Sequence, residues 1–133
     1  MEVKISGYLN SIYNPKILDK DGLNVIKAIY IKVLDSEDVE KVKNVLKHWS
    51  QNSDVKIYTP VCYADEGGWL IKLSTQKLTS YIGDLMKKTS KQEWLNKKYN
   101  IKFKVKKYAF NDKSNNTKIN GIHFILKHID LEI

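Results

Sequence analysis

A short stretch of alternating apolar and lysine residues constrains the fold of this chain more than any other feature. Between residues 101 and 106 the order is Ile101, Lys102, Phe103, Lys104, Val105, Lys106. A period of two is typical of a β-strand that buries one face and exposes the other. We therefore predict a strand here, with three ammonium groups on its outer face.

If the alternation continues past Lys106, the rings of Tyr108 and Phe110 join the lysine face. Such a face suits single-stranded nucleic acid, because ammonium groups follow the phosphates while bases stack on aromatic rings. Two other interpretations stay open. The lysines can simply keep an edge strand from aggregating, or a bulge at Lys106 and Lys107 can turn the two rings inward.

The charges are distributed unevenly along the chain. Residues 1–66 contain 9 lysines and 10 acidic residues, whereas residues 67–133 contain 14 lysines and 5 acidic residues. A basic half is the footprint expected of a protein that binds a polyanion. All 23 basic residues are lysine, which disfavours bidentate reading of guanine and fits point charges on a phosphate backbone. Codon bias in an AT-rich genome would produce the same lack of arginine.

Length and composition predict one domain over residues 1–133. No apolar run approaches the ~20 residues of a membrane span, and the first ten residues have no signal-peptide core, so no membrane association is expected. The single cysteine, Cys62, excludes an intramolecular disulfide and indicates a reducing, cytoplasmic location, in the host cell if the protein is viral. We expect Cys62 to be buried as a small hydrophobic residue.

Turn residues and apolar periodicity predict the order of the elements. They are a short strand at 2–8, a buried strand at 24–34, a helix from Asp35 or Ser36 to about Ser50, a strand at 55–64 interrupted by Pro60, a hairpin turn at 65–68, a strand at 69–74, a mainly helical segment at 75–98, and a closing hairpin whose polar loop runs from 111 to 120. Pro60 favours an edge strand or a bulge.

This order predicts the fold. A helical segment lies between the third and fourth of five major strands, as in the OB-fold, a five-stranded barrel with a helix at that point. The helix at 36–50 is then an insertion between strands one and two. The alternative is an α+β fold, with one antiparallel sheet and helices on one face.

Catalytic signatures are lacking, and we predict neither an enzyme nor a metal or cofactor site. No phosphate-binding glycine loop, zinc-protease motif or nucleophile elbow is present. His123 and His128 differ in parity along a strand, so they would face opposite sides and could not share a metal. His128 and Asp130 would share a face.

Three segments resemble the single-stranded DNA-binding proteins of large DNA viruses and phages, with the poxvirus single-stranded DNA-binding phosphoproteins the nearest family. They are IYIKVLDS at 29–36, DEGGWLIKLS at 65–74, and the closing hairpin of VKKYAF, a polar loop and GIHFILKHIDL. Together they span residues 28–131. The resemblance implies an OB-fold that coats single-stranded DNA without sequence preference during DNA replication or recombination.

The predicted interface combines the lysine face with nearby rings. Its residues are Lys72, Lys102, Lys104, Lys106, Tyr108 and Phe110, with Lys113 and Lys118 on the polar loop and Trp69 and Tyr58 as further stacking platforms. Trp69 shares strand parity with Ile71 and Leu73, which favours a place in the core instead.

Two other functions are compatible with the basic half. One is a viral or phage protein-interaction module with an acidic partner, and the other is an RNA-binding protein. Single-stranded DNA remains the first expected partner, with replication proteins and further copies of the chain as additional ones.

Overall fold

The computed structural model describes residues 1–13, 28–50, 57–75, 95–112 and 117–132. The elements in these ranges are β1 (Glu2–Tyr13), β2 (Ala28–Val33), α1 (Ser36–Ser50), β3 (Ile57–Tyr58), β4 (Val61–Asp65), β5 (Gly68–Ser74), β6 (Lys98–Asp112) and β7 (Thr117–Leu131). Within the same ranges, no helix has the length and apolar content that crossing a bilayer requires.

Five of these strands close into a barrel. Antiparallel pairs join β1 to β2 and β6, β2 to β5, and β6 to β7. A parallel pair between Ser74 of β5 and Ile125 of β7 completes the ring. This mixed five-stranded barrel confirms the predicted OB-like fold, and the open sheet of the α+β alternative is excluded.

The barrel strands are not the five that the sequence pattern selected. Strand β1 continues to Tyr13 instead of ending near residue 8, and it is the first barrel strand. A register shift between Leu9 and Ser11 accommodates Asn10, after which β1 stays paired with β2. Helix α1 therefore follows the second barrel strand, not the first. The sequence pattern did not predict this pairing, because the end of β1 contains polar residues that are typical of turns. Backbone hydrogen bonds between strands form without apolar side chains.

The segment predicted as one strand over 55–64 bridges two barrel strands. Along one edge of β5, β4 pairs with residues 68–71, and the backbone N–H of Lys72 donates to the carbonyl of Pro60 at 2.8 Å. Strand β3 pairs with residues 120–121 of β7. Residues 57–65 thus fill the gap beside the closing pair of β5 and β7. The interruption expected at Pro60 is confirmed.

The predicted hairpin turn between β4 and β5 is also confirmed. Asp65 pairs with Gly68, and the N–H of Gly67 donates to Oδ1 of Asp65 at 2.8 Å. Gly68 has a φ of 127°, which L side chains rarely adopt. The prediction that Cys62 is buried is wrong: its side chain is exposed, because β4 lies at the end of the sheet and exposes most of its residues.

Apolar residues of β6 and β7 form much of the core. Ile101, Phe103 and Val105 are buried as the alternation predicted, and the rings of Phe103 and Phe124 pack with centroids 4.4 Å apart. Burial of such rings is a large source of stability in a domain of this size. Beyond Val105 the inner side of β6 leaves the core, since Lys107 and Ala109 are exposed.

Helix α1 matches its prediction and protects an open strand edge. Val42 and Val45 join the core. Residues 2–7 of β1 have no partner in β2, whose register with β1 begins at Tyr8. There Oδ1 of Asp38 accepts from the N–H of Ser6 at 3.1 Å, and Nζ of Lys41 donates to the carbonyl of Lys4 at 3.0 Å. Side chains of the helix thus replace strand hydrogen bonds, which keeps this edge from pairing elsewhere.

Two predictions about connections fail. In the polar loop expected at 111–120, residues 111–112 and 117–120 are strand, since Asn111 pairs with Lys118 and Asp112 with Thr117; residues 113–116 lie outside the described part. The predicted helices over 76–94 lie outside the described residues. Their expected continuation to Lys98 is wrong: Asn96 takes a left-handed φ of 59° in a turn, and Lys98 begins β6.

Candidate nucleic-acid interface

The outer face of β6 keeps its alternation through Tyr108. From Phe103 to Asp112 the strand pairs with β7 without a register shift, so the bulge considered at Lys106 and Lys107 is not there. Lys104 and Lys106 are exposed, and Tyr108 on the same face is half-buried. The strand therefore brings ammonium groups and a ring to one surface.

Four outward residues lie side by side across β2, β5, β7 and β6. Tyr30 pairs with Lys72, and His123 pairs with Lys106. Lys72 and His123 lie opposite each other on the parallel strands β5 and β7. Each comes two residues before the paired residues Ser74 and Ile125. We call Tyr30, Lys72, His123 and Lys106 the ring row. With strands ~4.8 Å apart it spans about 14 Å, alternating ring and cation.

His123 is a neutral ring between two cations at neutral pH. Partial burial lowers its pKa from the ordinary 6.5, and the charges of Lys72 and Lys106 lower it further. Its side chain is nevertheless exposed. An uncharged imidazole at a protein surface is a stacking partner for a base, and the two ammonium groups beside it suit the flanking phosphates.

The ring of Tyr108 packs against His123 and over Gly121. The Tyr108 and His123 rings stack with centroids 4.2 Å apart and planes 21° apart. A Cβ atom at Gly121 would lie 2.2 Å from Cζ of Tyr108, so only glycine leaves room for the ring. Tyr58 of β3 pairs with Gly121 from the other side and is 50% exposed. A second row of rings thus adjoins the ring row.

The lysines of this surface differ in their ion pairs. In the described part of the chain, no carboxylate oxygen lies within 4.0 Å of the ammonium groups of Lys72, Lys104 or Lys106. Lys102, by contrast, is 3.2 Å from Oε2 of Glu2. Three of the four predicted strand lysines are therefore available to phosphates without breaking an ion pair.

The remaining predicted residues lie elsewhere. Trp69 packs against the core on the opposite face of β5 from Lys72, with Nζ of Lys43 5.8 Å from its ring centroid, a cation–π distance. The backbones of Phe110 and Lys118 continue the hairpin ladder, but their side chains lie outside the described part. Lys113 lies entirely outside it.

Sequence reasoning missed two members of the ring row, Tyr30 and His123. Tyr30 stands between Ile29 and Ile31 in a stretch interpreted as a mostly buried strand, although it is half-buried and faces outward. His123 was weighed only as a metal ligand. The signal that could have found it is its place opposite Lys106 in an antiparallel hairpin, but assigning that place requires the register.

The parity prediction for His123 and His128 is wrong. A bulge at Lys127 sets Lys102 opposite His128 and Phe103 opposite Leu126, so both histidines are exposed on the outer face. His128 and Asp130 do share a face, with Nε2 and Oδ2 2.9 Å apart, and this hydrogen bond lowers the pKa of Asp130. Among the described residues, no three His, Cys, Asp or Glu side chains are placed to hold a metal.

A search against protein-family models and a search of curated proteins found no match to this chain. Function is therefore inferred from the geometry of the ring row and the charge distribution.

Proposed function

We propose that this protein binds single-stranded nucleic acid, in the first place DNA, without reading its sequence. The ring row carries the proposal, because it sets rings and ammonium groups alternately across one face of an OB-like barrel. Strands two and three of OB-folds are a frequent site for oligonucleotides, and β2 and β5 hold those positions here.

Each component has a separate physical role. Lys72, Lys104 and Lys106 neutralise phosphates and release counterions, which makes the affinity depend on salt. His123 and Tyr108 offer ring surface to bases, and stacking of this kind contributes ~1–3 kcal/mol per base. Every base has a flat face, so the binding tolerates any sequence.

The lack of arginine supports binding that is indifferent to sequence. Lysine is a point charge on a flexible stem, whereas arginine forms the planar two-pronged contacts that read guanine. The resemblance to viral and phage single-stranded DNA-binding proteins supports a role in DNA replication or recombination.

The decisive experiment is a fluorescence-anisotropy titration of labelled oligo-dT, repeated from low to moderate salt. Neutralisation of about one phosphate by each of the three lysines would give a log–log slope of about −2.1, at ~0.7 per contact on a single strand. Competition by equal lengths of mixed-sequence DNA, RNA and duplex then ranks the ligands, and we expect single strands to compete far better than duplex.

Absence of binding at low salt would overturn the proposal. In that case the basic half would be assigned to an acidic protein partner, which a pull-down from the native host would identify. Competition by RNA stronger than by DNA would keep the mechanism and change the ligand.

A further inference from the structure

A groove on the outer side of β1, β6 and β7, beside α1, lies apart from the ring row. Its volume is about 530 Å³, within the range of ligand sites. We call it the lysine groove after the cations that line it, Lys4, Lys41 and Lys102; Asp38, Asn100 and His128 are further polar members. Among the residues that the structure describes, its lining contains no Phe, Tyr or Trp.

Strand register assembles the groove. Lys4 pairs with Lys102, and the bulge at Lys127 sets His128 opposite Lys102 on the other side. Lys41 reaches over from α1, where its ammonium group donates one of its three protons to the carbonyl of Lys4. The remaining protons of Lys41 are not used by that bond.

Two carboxylates temper the positive charge. Asp38 is buried and accepts from the backbone of β1, so its position is set by the fold. Glu2 lies 3.2 Å from Lys102, and both side chains are substantially exposed. Exposed ion pairs are weak, so a phosphate can take the place of Glu2 on Lys102.

A line of lysines connects the lysine groove to the ring row. Lys102, Lys104 and Lys106 occupy successive outward positions of β6, so the line covers about 13 Å at ~3.3 Å per residue. Lys106 belongs to the ring row and Lys102 to the groove, which makes one basic path with tyrosine rings at the ring-row end and none in the described lining of the groove.

We propose that the lysine groove binds the phosphate backbone of the strand as it leaves the ring row along β6. This inference rests on the proposed function. Bases are held at the ring row, and only phosphates are held in the groove. Oligonucleotides too short to reach the groove bind through the ring row alone, and longer ones bind more tightly with a steeper salt dependence.

The test compares dT oligomers of about 4 and about 16 nucleotides, the limits of site size for one OB-fold. The double variant Lys4→Ala, Lys41→Ala should lower the salt slope for the long oligomer by about 1.4 and its affinity at about 50 mM salt roughly tenfold or more. Binding of the short oligomer should be unchanged. Glu2→Gln should strengthen binding of the long oligomer alone.

Two control variants keep the test decisive. Lys107→Ala removes an exposed lysine on the other side of β6 and should leave both oligomers unaffected. Because Lys41 holds an edge of β1, Lys4→Ala alone, with a thermal melt, separates a binding loss from unfolding. Equal effects on short and long oligomers, or no effect on either, would overturn the groove proposal. Failure of the unmodified protein to bind either oligomer would instead overturn the proposed function.

Discussion

The ring row and the lysine groove lie on the same outer face of β6 and β7, yet their chemistry differs. In the ring row, Lys72 and Lys106 flank His123 with no carboxylate within ion-pair distance among the described residues. In the groove, Lys102 is paired with Glu2, and His128 with Asp130. A lysine without a carboxylate partner can contact a phosphate without first breaking an ion pair. The ring row should therefore bind polyanions more strongly per lysine than the lysine groove.

The comparison also shows two ways in which a neighbour changes a titrating group. Burial and two lysines lower the pKa of His123, so that its ring stays neutral. His128 instead lowers the pKa of Asp130 through a hydrogen bond, with Asn100 adding to it. Identical residue types on one strand thus serve different purposes because of what stands opposite them.

The largest effect is expected from a core substitution that destabilises the barrel and therefore disrupts both the ring row and the lysine groove. Phe103→Ala deletes a fully buried ring that packs on Phe124, and we expect it to lower the free energy of unfolding by about 3–5 kcal/mol. Chemical denaturation monitored by tryptophan fluorescence measures this. A loss below ~1 kcal/mol would mean that the barrel does not depend on this pair.

The next effect separates the two regions by charge. Lys72→Ala with Lys106→Ala should reduce the salt slope of oligo-dT binding by about 1.4, since ~0.7 is lost per contact. The short oligomer should be affected as much as the long one. Lys107→Ala together with Lys127→Ala is the matched control, because both side chains are exposed and lie outside the two regions. A control that weakened binding equally would show that only net charge matters.

A smaller effect isolates the rings. Gly121→Ala places a methyl group where the ring of Tyr108 lies, so the ring must move away from its position beside His123. Binding should weaken by about 1–3 kcal/mol with an almost unchanged salt slope. Tyr108→Ala should behave alike. Anisotropy titrations at several salt concentrations check both, and a changed slope with unchanged low-salt affinity would contradict a stacking role.

The smallest effect depends on pH. The lowered pKa of His123 means that the ring takes up a proton only below its ordinary pKa of 6.5. Bound phosphates oppose the repulsion from Lys72 and Lys106, so the pKa should rise on binding and affinity should increase as pH falls from 7.5 towards 5.5. His123→Asn should reduce this increase in anisotropy titrations of the short oligomer, which does not reach the lysine groove.

The same titration shift has a consequence for stability. The native state disfavours protonation of His123. The stability that the neutral ring contributes is therefore fully present above pH 6.5, the ordinary pKa, and is lost as pH falls through the lowered pKa of the folded protein. His123→Asn should therefore flatten this part of the stability profile in a series of denaturation curves. If His123→Asn leaves the dependence of the free energy of unfolding on pH unchanged, the His123 ring is more solvated than its contact with Tyr108 indicates.

Several features were predictable from local pattern. The alternation at 101–106 identified the buried and exposed faces of β6, and the apolar periodicity up to about Ser50 identified α1. The glycines at 67 and 68 identified the hairpin turn. Each depends on neighbours within a few positions, where periodicity and backbone preference decide the outcome.

Other features escaped prediction because they depend on pairing. The bulge at Lys127, the closing pair of Ser74 and Ile125, and the continuation of β1 to Tyr13 leave no clear mark in local composition. A one-residue shift in register moves every following side chain to the other face. The parity argument for His128 failed for that reason.

The sequence by itself determined that the chain forms strands with a lysine-bearing outer face, and that its positive charge lies in the second half. Tertiary structure alone decided which side chains meet. Tyr30, Lys72, His123 and Lys106 come from four strands, of which only β6 and β7 are neighbours in sequence, and Lys4 and Lys41 join Lys102 from two further elements. Composition and periodicity act along the chain, whereas a binding surface is built across it by backbone pairing between strands.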